Sequence, residues 1–118
     1  MLIDDDPLDI FINTKLLRLN NFSEELIVCK DAEDALKLLG IDRVKPDIIL
    51  LDIRMPAMDG FKFLEEYDKL DIDKSDTKII MLSSSINPLD IERSMNNKYI
   101  TRFLDKPLTV DKLILLAE

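Results

Sequence analysis

Residues 46–52 read PDIILLD, four aliphatic side chains in a row that end on a carboxylate, Asp52. A strand with one face in water alternates apolar and polar residues. A run without alternation is a strand covered on both faces, the mark of a central strand in a parallel sheet. Parallel neighbours cannot be joined by tight hairpins, because each needs a crossover, usually a helix. The stretch therefore predicts an α/β chain and places Asp52 at the exit of its central strand.

The segments on either side fit that frame. MLID (1–4) is a short strand that runs into Asp4, Asp5 and Asp6. Pro7 then preorganises the first turn of a helix, whose apolar positions step as Leu8, Ile12, Leu16 and Leu19. ELIVC (25–29) is a second strand. Ala32, Ala35, Leu36 and Leu39 mark a second helix, expected to close on Gly40 as a C-terminal cap. After PDIILLD comes a helix over about 60–70, with Phe61, Leu64 and Tyr67 on one side. KIIML (78–82) is a further buried strand, 88–96 a short polar helix starting at Pro88, TRFL (101–104) a fifth strand, and 110–118 a last helix. Five strand–helix units imply a doubly wound five-stranded parallel sheet with helices on both faces. Without repeats or linkers, residues 1–118 read as one domain. The first strand has three residues before its acids and the last helix is short, so both ends read as trimmed. The acidic segment DKLDIDKSD (68–76) reads as a mobile loop.

Composition removes several kinds of chemistry. The 118 residues are 47 % hydrophobic and 34 % charged, with a formal net charge of −8, which argues against a nucleic-acid surface and leaves room for a cation site. There is no histidine, so His-based zinc sites, Ser-His-Asp triads and phosphohistidine carriers are excluded. The two glycines cannot write a phosphate-binding glycine loop. Cys29 is the only cysteine and forms no intrachain disulfide, in keeping with a reducing compartment. No apolar run is long enough to span a bilayer and no signal-peptide pattern precedes the acids. A cytoplasmic location is the expectation.

In a doubly wound sheet, ligands bind beyond the carboxyl ends of the strands. Those ends carry Asp4-Asp5-Asp6, Asp52, Ser83-Ser84-Ser85 and Asp105-Lys106. Carboxylates from two strands suit a hard divalent cation such as Mg²⁺. A further carboxylate can attack a phosphoryl group, whose charge a metal, an ammonium and a hydroxyl can neutralise together. Each group alone reads as ordinary turn chemistry, and the weight lies in four strand ends each delivering a polar group to one edge.

IDDDP (3–7), IILLDIRMPAMDGF (48–61), IIMLSSS (79–85) and FLDKPL (103–108) together resemble the four signatures of the response regulator receiver domain, the CheY-like superfamily of two-component signalling. The resemblance implies a flavodoxin-like sheet in the order 2-1-3-4-5. It also implies Asp52 as phosphoacceptor, and Asp5, Asp4, Asp52 and the backbone carbonyl of Arg54 as the Mg²⁺ set. Ser83 would be the hydroxyl that contacts the phosphoryl group and Lys106 its counter-charge, with Lys106–Pro107 a cis peptide. Phe103 would be the aromatic switch position, with Ser83 as its partner. In the family, Arg54 and Ser85 occupy positions that tune phosphoryl lifetime. The implied partners are a sensor histidine kinase or phosphotransfer protein and an unknown downstream effector. The implied chemistry is the chain's own phosphorylation and dephosphorylation, rather than turnover of an outside substrate.

Two other readings compete. DDDPL contains the D-x-D of haloacid-dehalogenase-type phosphatases, but that class needs a second acidic pair late in the chain and usually a cap domain. A degenerate receiver that only binds partners is disfavoured because no key position is lost.

Overall fold

The computed structural model describes residues 1–23 and 25–116. Five strands alternate with five helices: β1 Leu2–Ile3, α1 Pro7–Leu19, β2 Val28–Cys29, α2 Ala32–Gly40, β3 Ile48–Leu51, α3 Gly60–Lys69, β4 Lys78–Ser83, α4 Pro88–Met95, β5 Ile100–Asp105 and α5 Val110–Leu116. All strand pairs are parallel and the sheet order is β2-β1-β3-β4-β5.

The sheet divides the core in two, because successive side chains along a strand point to opposite faces. Ile3, Ile49, Leu51, Ile79 and Met81 face α2 and α3, where Ala35, Leu39, Phe63, Leu64 and Tyr67 are buried against them. Leu2, Leu50, Ile80, Leu82 and Leu104 face the other way, onto Leu17 of α1 and Leu113 and Leu116 of α5. The unbroken IILL run thus supplies both cores, which is why it carries no alternation.

Caps fix the helix starts. Asp6 accepts the Leu8 N–H at 2.9 Å with Pro7 in the first turn, Asp31 accepts from Asp34 at 2.8 Å, and Asp59 accepts from Lys62 at 2.8 Å. Asp6 is thereby the cap of α1.

The structure differs from the sequence expectations at several places. α1 is a helix, but its inward face is Asn13, Thr14 and Leu17. The predicted stripe lies mostly outside: Leu8 is 64 % exposed, Ile12 43 % and Leu19 71 %. Thr14 hides its hydroxyl by donating to Ile10 O at 2.7 Å, which lets a polar residue face the core. Gly40 is not a left-handed cap. It is the last helical residue, Ile41 follows in right-handed geometry, and no glycine has positive φ among the described residues. β1 and β2 are shorter than the apolar runs, two residues each. The end of the last predicted helix, 117–118, lies outside the described residues. The 68–76 segment is pinned, since Lys45 pairs with Asp73 at 3.1 Å, Arg43 donates to Asp71 O at 2.9 Å, and Ser75 bonds Asp73.

Gly60 is the glycine that the fold requires. Its N–H donates to Ile53 O at 2.8 Å, and a Cβ there would stand 2.5 Å from Asp52 O and 3.1 Å from Ile53 Cα. Those are backbone atoms that cannot turn aside. At Gly40 the nearest atom to a Cβ is the tip of Leu70, at 3.0 Å. Gly60→Ala is therefore expected to destabilise the fold by roughly 2 kcal/mol or more, whereas Gly40→Ala stays within about 1 kcal/mol because helix propensity offsets the crowding. Urea unfolding of both variants checks this. Equal losses would show that the approach of α3 to β3 is not the constraint described.

Candidate functional site

Register decides which strand ends meet. Ile3 pairs with Leu51, Leu51 with Met81 and Met81 with Phe103, so Asp4 and Asp52 leave the sheet at the same level. β4 and β5 run further, pairing Ser83 with Asp105, and the Lys106 N–H then donates to Ser83 O at 2.9 Å. The Lys106–Pro107 peptide is cis.

Asp4, Asp5 and Asp52 each offer a carboxylate oxygen, and these atoms all lie within 4.8 Å of one another. Asp4 and Asp52 are buried and Asp5 is partly open. Lys106 Nζ stands among the acids, 2.9 Å from Asp4 Oδ2, 2.8 Å from Asp9 Oδ2 and 3.4 Å from Asp52 Oδ2. One ammonium thus serves three carboxylates, and Asp5 adds a fourth acid. The excess of oxygen donors and negative charge fits a hard divalent cation.

Burial pushes the Asp52 carboxyl up to about 6, Lys106 opposes that, and the charge of Asp4 adds to it. Burial alone would lower the Lys106 ammonium, but its hydrogen bonds to Asp9 and Asp4 and the charge of Asp52 outweigh this and hold it above its ordinary range. Lys106 is therefore a fixed positive charge, and burial works against the ionised form of Asp52.

The sequence matches the response regulator receiver domain over residues 1–118. The chain belongs to that family. It is 32 % identical over 117 residues to the two-component response regulator ARR2 of Arabidopsis thaliana, covering 96 % of this chain and 16 % of that protein. Among solved structures it resembles a two-component response regulator from Cytophaga hutchinsonii, with a TM-score of 0.87, 29 % identity, 98 % of this chain and 90 % of that one covered. A response regulator receiver protein from Dyadobacter fermentans gives a TM-score of 0.86 at 31 % identity, covering 98 % and 91 %. The curated response regulators are longer, and the chain spans less than a third of each of the first ones it matches.

Around this receiver site the other expected residues are placed as follows. Ser83 closes β4, is 1 % exposed, and its hydroxyl accepts the Ser85 N–H at 3.1 Å. Phe103 lies half-buried on β5, beside the core that holds Met81. Arg54 lies in the loop between β3 and α3, in which Ala57 takes a left-handed φ of 66°. Two residues were missed by sequence reasoning. Asp9 reads as an ordinary first-turn acid of α1, yet it makes the shortest contact to Lys106. Asp90 reads the same way on α4, yet it is 8 % exposed and binds Arg54 and Ser85. Only Asp9 left a local trace: a helix starting at Pro7 directs its first turn back over the preceding acids.

The Asp52 carboxyl titrates higher in the folded chain than its ordinary 3.8. The native state then binds the extra proton between the two values, so Asp52's contribution to stability is greatest at low pH and is lost as pH rises through about 6. Asp52→Asn removes that loss. In the absence of Mg²⁺ it is expected to stabilise the fold at pH 7.5 by on the order of 1–3 kcal/mol, with the gain shrinking toward pH 4. Denaturant unfolding at the two pH values decides the matter, and a gain that ignores pH would remove burial of the Asp52 charge as its cause.

Proposed function

We propose that this receiver domain is a phosphoacceptor switch. A carboxylate oxygen of Asp52 attacks the phosphorus of a phosphohistidine on a sensor histidine kinase or phosphotransfer protein. The P–O bond to Asp52 forms as the P–N bond breaks, and the imidazole leaves with the bond's electron pair. The observation that carries this reading is the placement of Asp52: buried, at the exit of the central strand, 3.4 Å from a lysine that stays charged, with two further carboxylates within reach of one cation.

Asp5, Asp52, Asp4 and the backbone carbonyl of Arg54 would hold Mg²⁺, which when bound neutralises charge on the phosphoryl oxygens. Lys106 neutralises charge from the β5 side. Ser83 turns its hydroxyl toward the new phosphoryl acceptors, and Phe103 follows into the space this vacates. The surface around α4, β5 and α5 then changes, for a downstream effector to read. The chain acts on itself rather than on an outside substrate, and residues 1–118 form the unit that does so. No helix among the described residues is long and apolar enough to cross a membrane. A kinase-fed switch with a net charge of −8 fits a cytoplasmic address and a protein partner better than direct contact with nucleic acid.

With acetyl phosphate and Mg²⁺, intact-mass spectrometry is expected to find one added phosphate on the wild type and none on Asp52→Asn. Equal labelling of both would reject Asp52 as the acceptor. Millimolar Mg²⁺ is expected to raise the melting temperature, since a ligand at a hundredfold excess over its Kd adds about 2.7 kcal/mol to the native state. Asp5→Ala is expected to abolish that rise. A wild-type melting curve indifferent to Mg²⁺ would argue that the acids are a solvated cluster.

A further inference from the structure

Two side chains that flank the phosphoacceptor, one from its own loop and one from the loop after β4, end on a single oxygen. Arg54 Nη2 lies 2.5 Å from Asp90 Oδ2, and Ser85 Oγ donates to the same atom at 2.7 Å. Ser85 also reaches the site directly, through its N–H to the Ser83 hydroxyl at 3.1 Å. Asp90 is held firmly in the first turn of α4. Its N–H donates to Asn87 O at 3.0 Å and its carbonyl accepts from Ser94 Oγ at 2.8 Å. The Arg54 side chain is 64 % exposed and that of Asp90 only 11 %. A fixed, buried carboxylate on α4 therefore holds a long, solvent-facing guanidinium that begins two residues after Asp52.

We propose that Asp90 is a latch: it keeps Arg54 away from Asp52 in the unmodified chain and surrenders it to the phosphoryl group once Asp52 is phosphorylated, releasing the start of α4. The proposal rests on the receiver reading and adds how this chain couples its site to α4. A phosphoryl group brings about −1.5 to −2 charges and three strong acceptors to within reach of Arg54. A guanidinium can meet it with two parallel hydrogen bonds, against one contact at Asp90. Ser83 turns toward the same acceptors and frees the Ser85 N–H. Asp90 is then left with the Ser85 hydroxyl and the positive end of the α4 dipole. A buried carboxylate with its cation removed is strongly destabilising, so the first turn of α4 shifts to hydrate it. By linkage, whatever holds the Arg54–Asp90 pair together opposes phosphorylation to the same degree. Asp90 touches none of the reacting atoms and is a positioning residue.

The test uses beryllofluoride, a phosphoryl mimic, with Mg²⁺, on the wild type, Asp90→Asn, Arg54→Gln and the double variant. Amide hydrogen exchange over residues 84–95 and the beryllofluoride Kd are measured for each. Without beryllofluoride, Asp90→Asn and Arg54→Gln are each expected to raise exchange in that segment, and the double variant no further. Beryllofluoride is expected to bring the wild type to the same level. Asp90→Asn is expected to bind beryllofluoride several-fold tighter, a gain that disappears on the Arg54→Gln background and that a merely structural role would not produce. Exchange like the wild type in both single variants, or a tighter Kd that survives Arg54→Gln, overturns the latch while the receiver reading stands. A wild type that does not bind beryllofluoride overturns the phosphoacceptor reading, and the hand-over with it. Should Asp90→Asn fail to fold, Arg54→Gln opens the latch from its exposed side and its exchange decides the resting-state contact.

Discussion

One ammonium holds this structure's functional edge together. Lys106 Nζ reaches carboxylates from the exit of β1, the first turn of α1 and the exit of β3, in a pocket where its own side chain is 10 % exposed. Like charges gathered in a site of low dielectric repel strongly. Lys106 offsets that repulsion by pairing with Asp4, Asp9 and Asp52 at once. Even with it the site carries more negative charge than positive. The imbalance makes it receptive to a divalent cation, while burial, with the charge of Asp4 adding to it, raises Asp52 above the ordinary carboxylate range.

Delivery of those groups is the work of the sheet. Parallel pairing brings β1 and β3 to an end together, and the longer β4 and β5, whose register shifts between Ile79 and Ile80, carry Ser83 and Lys106 beyond them. The cover on both faces holds the sheet rigid, with one core under α2 and α3 and another under α1 and α5. Gly60 lets α3 start hard against the Asp52–Ile53 backbone, so the loop bearing Arg54 is short of room and held in place. A rigid frame of this kind suits a site that must hold several charges within a few ångströms of one another.

The site is also wired to its surroundings by hydrogen bonds rather than by packing alone. Ser83 closes β4 and accepts from Ser85, and Ser85 donates to Asp90 on α4, which pairs with Arg54 from the loop after β3. Two loops and one helix therefore share a polar chain whose charges depend on one another. The latch proposed above requires this network to have a second arrangement, in which Arg54 has left Asp90.

What the sequence determined by itself follows from local patterns. The unalternating IILL run required a parallel sheet covered on both faces, and the strand ends put Asp4-Asp5-Asp6, Asp52, Ser83-Ser84-Ser85 and Asp105-Lys106 on one edge, from which the family resemblance singled out Asp4, Asp5, Asp52, Ser83 and Lys106 as candidates. Strand placement is a property of neighbouring residues, and periodicity reports it. Tertiary structure decided which face of α1 turns inward, because Thr14 can satisfy its hydroxyl within the helix and so polarity along the sequence did not reveal burial. It decided that Gly40 continues its helix instead of capping it, since Ile41 keeps right-handed geometry. It decided the partners of Asp9 and Asp90, whose contacts lie 97 and 36 residues away along the chain. An acid in the first turn of a helix looks the same in sequence whether it meets water or a buried cation. Only the folding of β5 beside β4, and of α4 over the loop after β3, assigns it a charge to hold.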